Sequence, residues 1–331
     1  MRAFLERLWF DEGRGGWWLA PLEALFAIVT ALRRWTYRAR WSAPIHPGRP
    51  VVVVGNLTVG GSGKTPTIIW LAHALAARGL RVGVVSRGYG GTESGPTEVL
   101  ASSSPARVGD EPVLIARRTK ARVVVGRDRV AAAAQLMPAV DVILADDGLQ
   151  HYRLARDLEI AVVDARRGFG NGHLLPRGPL REPLRRLASV AAVIVNGAGD
   201  PGVAGIRMQL VPTWIVPLSG GERVRLTEWA GRHVHAVAGI GDPERFFQTL
   251  QAAGLHVVKH PKPDHAALGA ADVEFSDGYP VLMTEKDAVK CAAFARPGLY
   301  YLEVEAELDP EPSRALVEQI VSLVRRAKGS I

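Results

Sequence analysis

The sequence predicts an α/β protein built on a parallel β-sheet with helices on both faces. Three observations support this class. Between Val51 and Leu75 a β-branched run, a glycine-rich turn and a helix start follow one another. Apolar strands then alternate with helical segments along the chain, which is typical of parallel sheets. A later apolar run ends in the acidic pair Asp146 and Asp147, at the edge where such sheets bind ligands.

The first predicted strand is Val51 to Val54, and the glycine-rich turn after it is a phosphate-binding loop. Glycines let successive backbone N–H groups point at one anion, and the N-terminus of the following helix, predicted near Thr65, adds its positive dipole end. Lys64 is placed to reach the outer phosphates, and the Thr65 hydroxyl to bind magnesium. The motif residues are Gly60, Gly61, Ser62, Gly63, Lys64 and Thr65.

Val140 to Ala145 is predicted to be a further strand of the sheet, and it leads directly into Asp146 and Asp147. Magnesium bound to a nucleotide is a hard cation that keeps several waters, so a carboxylate at the strand end holds it directly or through them. Asp146 is the first choice for this role. A pair of turn-forming aspartates before Gly148 is the alternative interpretation.

Asp110 follows a Ser-, Gly- and Pro-rich stretch, 90–107, that is predicted to be a loop. A carboxylate here has two compatible interpretations. It is a candidate general base, because a sugar hydroxyl is a poor nucleophile until its proton is accepted. It is also a candidate N-cap for a helix that starts at Pro112.

The segment from Trp17 to Leu32 is predicted to be a membrane-associated helix, because it is apolar apart from Glu23. At 16 residues it would be roughly 24 Å long, which is short of a hydrocarbon core of about 30 Å. We therefore expect it to lie in one leaflet. The basic residues that follow suit a cytoplasmic membrane surface: Arg33, Arg34, Arg38 and Arg40. A core helix packed on the sheet is the alternative.

The chain has 331 residues, of which 47% are hydrophobic, so a sizeable core and more than one domain are expected. We predict an N-terminal membrane-associated segment (1–45), a phosphate-loop domain (46–203) and a smaller α/β domain (204–331). A single cysteine, Cys291, excludes an internal disulfide. The net charge of +8 indicates an anionic partner. Nucleic acid is not expected, since no aromatic-rich recognition strand is visible.

Eight motifs occur in one order along the chain: GNLTVGGSGKTP, SRGYGG, GDEP, DDGLQH, LPRGPLREP, GIGDPERFF, PDH and TEKD. Together they resemble the tetraacyldisaccharide 4'-kinase family over nearly the whole sequence. The resemblance implies a monotopic enzyme at the cytoplasmic face of the inner membrane. It implies ATP-dependent phosphorylation, with Mg²⁺, of the 4'-hydroxyl of a tetraacylated glucosamine disaccharide 1-phosphate in lipid A biosynthesis. It also implies two α/β domains joined by a two-stranded linker.

The same resemblance assigns roles to individual residues. It implies that Lys64 and Thr65 bind the phosphates and magnesium, that Asp110 abstracts the proton, and that His265 of the PDH motif pairs with Asp110. Further assignments that it implies are the metal-binding residues Asp146, Asp147 and Glu182, and the phosphate- or substrate-binding residues Asn56, Thr58, Arg87 and Arg127.

Two other classes share features of this sequence. A phosphate-loop ATPase of the metal-delivery or partition type would carry the same GGSGKT segment, but nothing beyond that loop favours it. An RNA-binding protein would share the basic charge, and salt-sensitive retention of RNA would distinguish it.

Overall fold

The computed structural model describes residues 2–10, 16–39, 41 and 43–329. Arg40, one of the predicted basic residues after the apolar helix, lies outside these ranges.

Thirteen strands within the described residues form one sheet, in the order β11-β10-β12-β13-β8-β7-β6-β1-β5-β2-β4-β3, with β9 paired to β8. Most neighbours are parallel, and the antiparallel pairs are β3–β4, β8–β9 and β8–β13. The strands are β1 (Val51–Gly55), β2 (Val82–Ser86), β3 (Thr97–Val99), β4 (Arg122–Val125), β5 (Val142–Asp146), β6 (Leu158–Asp164), β7 (Ala192–Asn196), β8 (Ile206–Pro217), β9 (Val224–Arg225), β10 (His233–Ala238), β11 (His256–Pro261), β12 (Val281–Thr284) and β13 (Leu299–Leu308).

Helices cover both faces of this sheet, as the sequence predicts. They are α1 (Arg2–Phe10), α2 (Ala20–Arg38), α3 (Lys64–Ala76), α4 (Pro105–Val108), α5 (Asp110–Arg118), α6 (Arg129–Leu136), α7 (Pro243–Ala252), α8 (Glu285–Cys291) and α9 (Pro310–Gly329). Short 3₁₀ turns connect several elements, among them Trp17–Leu19 before α2.

The core forms because β1 is apolar on both sides. Val52 and Val54 pack into a hydrophobic cluster with α3 and α9, whereas Val51 and Val53 pack into a second cluster on the opposite face. All four side chains are fully buried. Such a strand needs helices on both faces, and the continuous β-branched run in the sequence reflects that need.

Two long antiparallel strands, β8 and β13, lie between the two ends of the sheet. Beyond them β10, β11, β12 and α7 build their own apolar clusters. The C-terminal helix α9 does not stay with those elements, since it returns to pack beside α3. The domain boundaries at 45/46 and 203/204 stay predictions.

Helix α2 turns most of its apolar side chains away from the protein. Leu25 is 58% exposed and Ile28 is 64% exposed, and Leu22, Val29 and Leu32 on the same helix are also exposed. A core helix packed on the sheet would bury these side chains, so the structure does not support that alternative. Among the described helices, none combines the length and the hydropathy that crossing a membrane requires.

Candidate active site

A cleft of about 1570 Å³ opens at the carboxyl ends of the central strands. Eleven of the predicted site residues line it: Gly60, Gly61, Ser62, Gly63, Lys64, Thr65, Arg87, Arg127, Asp146, Asp147 and His265. Four others do not line it: Asn56, Thr58, Asp110 and Glu182. The cleft therefore brings together residues that are up to 205 positions apart in the sequence.

The phosphate-binding loop connects β1 to α3 and depends on two of its glycines. Gly60 and Gly63 have φ values of 105° and 98°, which L side chains rarely adopt. A Cβ on Gly63 would also lie only 2.5 Å from Nδ2 of Asn196. Helix α3 begins at Lys64, one residue before the predicted start. The loop can thus present backbone N–H groups and a helix N-terminus to an anion.

Asn56 and Thr58 support this loop from behind. The Asn56 side chain is fully buried, and its Nδ2 donates to the carbonyl oxygen of Gly60 at 3.4 Å. Thr58 forms an antiparallel bridge with Leu180. These contacts fix the shape of the loop, so in this structure both residues position the cradle and do not face the cleft.

Asp147 is the carboxylate that neutralises the cations of the cleft. Its Oδ1 lies 3.7 Å from Lys64 Nζ, and Nη1 of Arg181 donates to its Oδ2 at 2.9 Å. Burial alone would raise the pKa of Asp147, but the charges of Lys64 and Arg181 outweigh it and lower that pKa to about 2. Asp147 also has a φ of 46°, an uncommon conformation for a residue other than glycine.

Asp146 has a different environment although it is the next residue. It is 2% exposed, and the Ser86 hydroxyl donates to its Oδ2 at 2.9 Å. Its Oδ1 is buried and has no hydrogen-bond partner within the described structure. Burial, followed by the Glu111 and Asp147 carboxylates, raises the pKa of Asp146 to about 7. A buried carboxylate oxygen without a partner fits a hard cation such as Mg²⁺, which takes one or two carboxylates together with phosphate oxygens and water.

Glu182 is buried and does not line the cleft. The Tyr152 hydroxyl donates to its Oε1, and Nε of Arg186 lies 3.2 Å from its Oε2. The adjacent Arg181 is the residue of this segment that reaches the cleft, where it binds Asp147. The role of Glu182 at the metal stays a prediction.

Asp110 is the first residue of α5, so the helix starts two residues before the predicted Pro112 and its N-cap is Gly109. The Asp110 side chain is 6% exposed. His265 Nδ1 lies 3.2 Å from Asp110 Oδ2, and Lys290 Nζ lies 3.6 Å from the same oxygen. Burial opposes ionisation, but the contact with His265 and the charges of Lys286 and Lys290 outweigh it and lower the pKa of Asp110. The predicted pairing of Asp110 with His265 is therefore present.

His265 stands between Asp110 and the cleft. It has a φ of 60°, and its ring packs edge-on against Tyr89 with the centroids 5.0 Å apart. Its Nε2 lies 3.2 Å from Lys286 Nζ, and Lys286 in turn bonds Glu111 at 3.0 Å. Burial lowers the pKa of Lys286, but Glu111, Asp110 and Asp264 outweigh it and raise that pKa. Three segments distant in sequence therefore hold the imidazole in place.

Several cleft residues were not predicted from the sequence. Arg181 binds Asp147, and the buried Arg129 donates from Nη1 to the Asp147 carbonyl oxygen at 2.8 Å. Lys286 belongs to the TEKD motif, and Asn196 donates from Nδ2 to the Ser62 carbonyl oxygen at 3.1 Å. Arg181 and Lys286 lie within two of the motifs, LPRGPLREP and TEKD, and could have been found there. The sequence contains no comparable indication for Arg129 and Asn196.

Comparison with known proteins gives the family. A sequence model described as tetraacyldisaccharide-1-P 4'-kinase matches residues 16–322. The chain belongs to the tetraacyldisaccharide 4'-kinase family. Similar relatives named tetraacyldisaccharide 4'-kinase include one from Methylobacillus flagellatus, 49% identical over 98% of this chain and 96% of its own length. Another, from Alkalilimnicola ehrlichii, is 51% identical over 92% of both chains.

The fold agrees with this family as well. A crystal structure of LpxK from Aquifex aeolicus in complex with ATP superimposes with a TM-score of 0.77 at 28% identity. The match covers 93% of this chain and 98% of that one. The family and its fold therefore extend through both ends of the sheet, and a phosphate-loop ATPase of the metal-delivery or partition type is not favoured.

Proposed function

We propose that this protein transfers the γ-phosphoryl group of ATP to the 4'-hydroxyl of a tetraacylated glucosamine disaccharide 1-phosphate, in the synthesis of lipid A. The names of its relatives support the reaction, and the ATP in the related crystal structure supports the donor. The observation that carries the proposal is one cleft that contains both a phosphate-binding loop and the His265 ring, with Asp110 behind that ring.

The phosphate-binding loop would hold the triphosphate. Backbone N–H groups between Gly60 and Thr65 and the start of α3 offer partial positive charge to the phosphates. Lys64 would stabilise the charge that develops on the transferred group. In the structure its ammonium faces Asp147, which keeps it in the cleft and 11% exposed.

Mg²⁺ would be held by the Thr65 hydroxyl and the free oxygen of Asp146, with nucleotide oxygens and water as further ligands. Its contribution when bound is to neutralise charge on the β- and γ-phosphates. Asp147 is less suited to the ion, because Lys64 and Arg181 already occupy its two oxygens.

The Asp110–His265 pair would act as the base. His265 faces the cleft, so it is the member that can approach the sugar hydroxyl, and the buried carboxylate of Asp110 orients the imidazole and stabilises its positive charge. Arg87 and Arg127 also line the cleft, and neither side chain forms an ion pair within the described residues. They are available for the phosphate or sugar of the acceptor.

The acceptor is a lipid, and α2 suggests how it arrives. Phe26, Thr30 and Arg33 on one side of α2 line the cleft, while the apolar side chains on its other side are exposed. We propose that α2 lies in the cytoplasmic face of the inner membrane, so that the disaccharide enters the cleft while its acyl chains stay near the bilayer. Within this arrangement, 1–45 is the membrane segment, 46–203 holds ATP and 204–331 closes over it.

A direct assay tests the proposed reaction. Purified protein, γ-³²P-ATP, Mg²⁺ and the disaccharide 1-phosphate lipid in detergent micelles should give a labelled lipid, and Lys64→Ala should reduce its formation about a hundredfold or more. Lys120→Ala, on an exposed loop outside the cleft, is the matched control and should retain activity. Label transfer to water alone, with the lipid unchanged, would contradict the proposed acceptor.

A further inference from the structure

Arg167 is a cation of the cleft that the mechanism above does not use. It lies in the turn after β6, which pairs with β1 on the side opposite β5. Lys64 faces Asp147 at the end of β5, so the two cations approach the phosphate-binding loop from opposite sides. Nη1 of Arg167 lies 3.6 Å from the position that a Cβ on Gly60 would occupy. The guanidinium is therefore adjacent to the loop.

The contacts of Arg167 leave most of its hydrogen-bonding capacity unused. Its Nη2 donates to the Gly241 carbonyl oxygen at 2.9 Å, and its Cζ lies 5.3 Å from the centroid of the Phe10 ring. Within the described residues no carboxylate lies at ion-pair distance from the guanidinium. An arginine side chain has five N–H donors, and among the described residues Arg167 donates only to the Gly241 carbonyl oxygen.

A half-buried guanidinium that pairs with no carboxylate of the described residues, beside a loop built for anions, is suited to bind an anion. We propose that Arg167 contacts the phosphate chain of the bound nucleotide on the side opposite Lys64. The planar fork of arginine suits two phosphate oxygens at once. Lys64 and Arg181 share the charge of Asp147, whereas the charge of Arg167 is not offset in this way. This inference rests on the proposed function for the identity of the nucleotide as ATP.

The same contacts link the nucleotide to two other parts of the molecule. Gly241 belongs to the loop between β10 and α7, and a Cβ on it would lie 3.5 Å from the backbone nitrogen of Gly61. Phe10 belongs to α1 and packs over the guanidinium. Arg167 would thus bring the loop between β10 and α7, and helix α1, against the phosphates.

The alternative explanation is that Arg167 only holds neighbouring segments together and does not contact the nucleotide. A substitution of Arg166 distinguishes these two explanations. Arg166 is the preceding residue and pairs with the carboxylate of Asp242, which also lies in the loop between β10 and α7. Its side chain is 58% exposed and does not line the main cleft. Removing Arg166 breaks a contact to that loop but takes no cation away from the phosphates.

The test is ATP binding to the full-length protein, measured by titration calorimetry with Mg²⁺ and no lipid. Arg167→Ala should weaken binding about tenfold or more, because charge-assisted hydrogen bonds are lost. Arg167→Lys should recover part of the affinity, since it restores the charge without the fork. Arg167→Met keeps the aliphatic packing on Phe10 and should match the alanine variant. Arg166→Ala should stay within about twofold of the wild type, the change expected for an exposed ion pair.

Two results would overturn the inference: unchanged ATP affinity in both Arg167→Ala and Arg167→Met, or an equal loss in Arg166→Ala. Thermal unfolding without nucleotide shows whether each variant is folded, and Arg167→Met decides the matter if the alanine variant is not. Since the titration contains no lipid, a wild type that binds ATP but fails to phosphorylate the disaccharide would refute the proposed acceptor and still leave Arg167 testable.

Discussion

At the scale of single residues, Asp146 and Asp147 show how two neighbouring carboxylates acquire different properties. Asp147 lies between Lys64 and Arg181, so its charge is compensated. Asp146 is buried beside Ser86, and no cation among the described residues lies at ion-pair distance from it. One carboxylate is therefore a fixed counter-ion, and the other keeps an oxygen free for a ligand that brings positive charge.

The raised pKa of Asp146 predicts a stability effect in the unliganded protein. Folding favours the protonated form of this carboxyl, so it costs stability as the pH rises from 3.8, its ordinary pKa, through about 7. Asp146→Asn should therefore raise the free energy of unfolding by roughly 1–3 kcal/mol at pH 8, while abolishing kinase activity. The gain should shrink as the pH falls towards 4. Urea unfolding at several pH values, without Mg²⁺ or ATP, measures it.

Asp141, which directly precedes β5, is the matched control because its shift has the opposite sign. The Arg81 guanidinium is the main cause that lowers the pKa of Asp141, with help from Lys328. Its contribution is present above the ordinary pKa of 3.8 and is lost at lower pH. Asp141→Asn should thus destabilise the protein at pH 8. If both variants shift the unfolding midpoint in the same direction, the burial argument for Asp146 is wrong.

The Asp110–His265 pair should behave as one unit in catalysis. Asp110→Ala should lower kcat about a hundredfold, because His265 then loses the carboxylate that orients it as a base, with KM for ATP nearly unchanged because neither residue belongs to the phosphate-binding loop. The double variant Asp110→Ala/His265→Ala should be no slower than the slower single variant. Steady-state kinetics of the lipid reaction should be measured for Asp110→Ala, for His265→Ala and for the double variant. Multiplying losses would show that the two side chains act independently.

Site residues within one strand–loop–helix unit could be predicted from the sequence, because chain connectivity fixes their position. Lys64 and Asp146 are of this kind. Arg129 and Arg167 also follow strand ends, but each has a second arginine close by, Arg127 and Arg166, and nothing in the sequence shows which arginine of such a pair enters the cleft. Glu182 was predicted near the metal, but its side chain joins Tyr152 while that of its neighbour Arg181 enters the cleft. A motif locates a segment without fixing the direction of each side chain.

At the scale of elements, the N-terminal helices combine two surfaces. The inner surface is held by specific polar contacts: Glu23 accepts from the Leu174 backbone at 2.9 Å, and Trp9 Nε1 donates to the Pro176 carbonyl oxygen at 2.9 Å. The outer surface of α2 is apolar and exposed. The one acidic residue in the apolar run is thus a docking contact to the body of the protein, which explains why the run can carry a charge.

The outer surface of α2 should mediate membrane binding. Leu25→Glu/Ile28→Glu should reduce the partition coefficient onto anionic phospholipid vesicles at least about tenfold, since two large apolar side chains no longer enter the bilayer. ATP affinity should not change, because both side chains point away from the cleft. Co-sedimentation with vesicles provides the measurement. Leu100→Glu alters an equally exposed leucine, 61% accessible, outside α2 and should bind like the wild type. Equal sedimentation of all three proteins would contradict this role.

At the scale of the whole molecule, one sheet and one helix join the two ends of the chain. The sheet continues from β7 through β8 and β13 to β12, so no gap in hydrogen bonding separates the regions. Helix α9 then crosses back to α3, whose first residue is Lys64. The sequence alone does not identify the partner of this helix, because an apolar helix face does not specify what covers it.

This return of α9 should couple the C-terminus to the stability of the ATP site. Ile320 is fully buried in the cluster that contains Ile68 and Leu71 of α3, so Ile320→Ala should cost about 2–5 kcal/mol of unfolding free energy. Urea unfolding followed by circular dichroism and by loss of ATP binding should show both midpoints falling together. Gln319→Ala, on the exposed side of α9, should leave both unchanged. A lowered circular-dichroism midpoint with an unchanged ATP-binding midpoint would contradict this coupling between α9 and the ATP site.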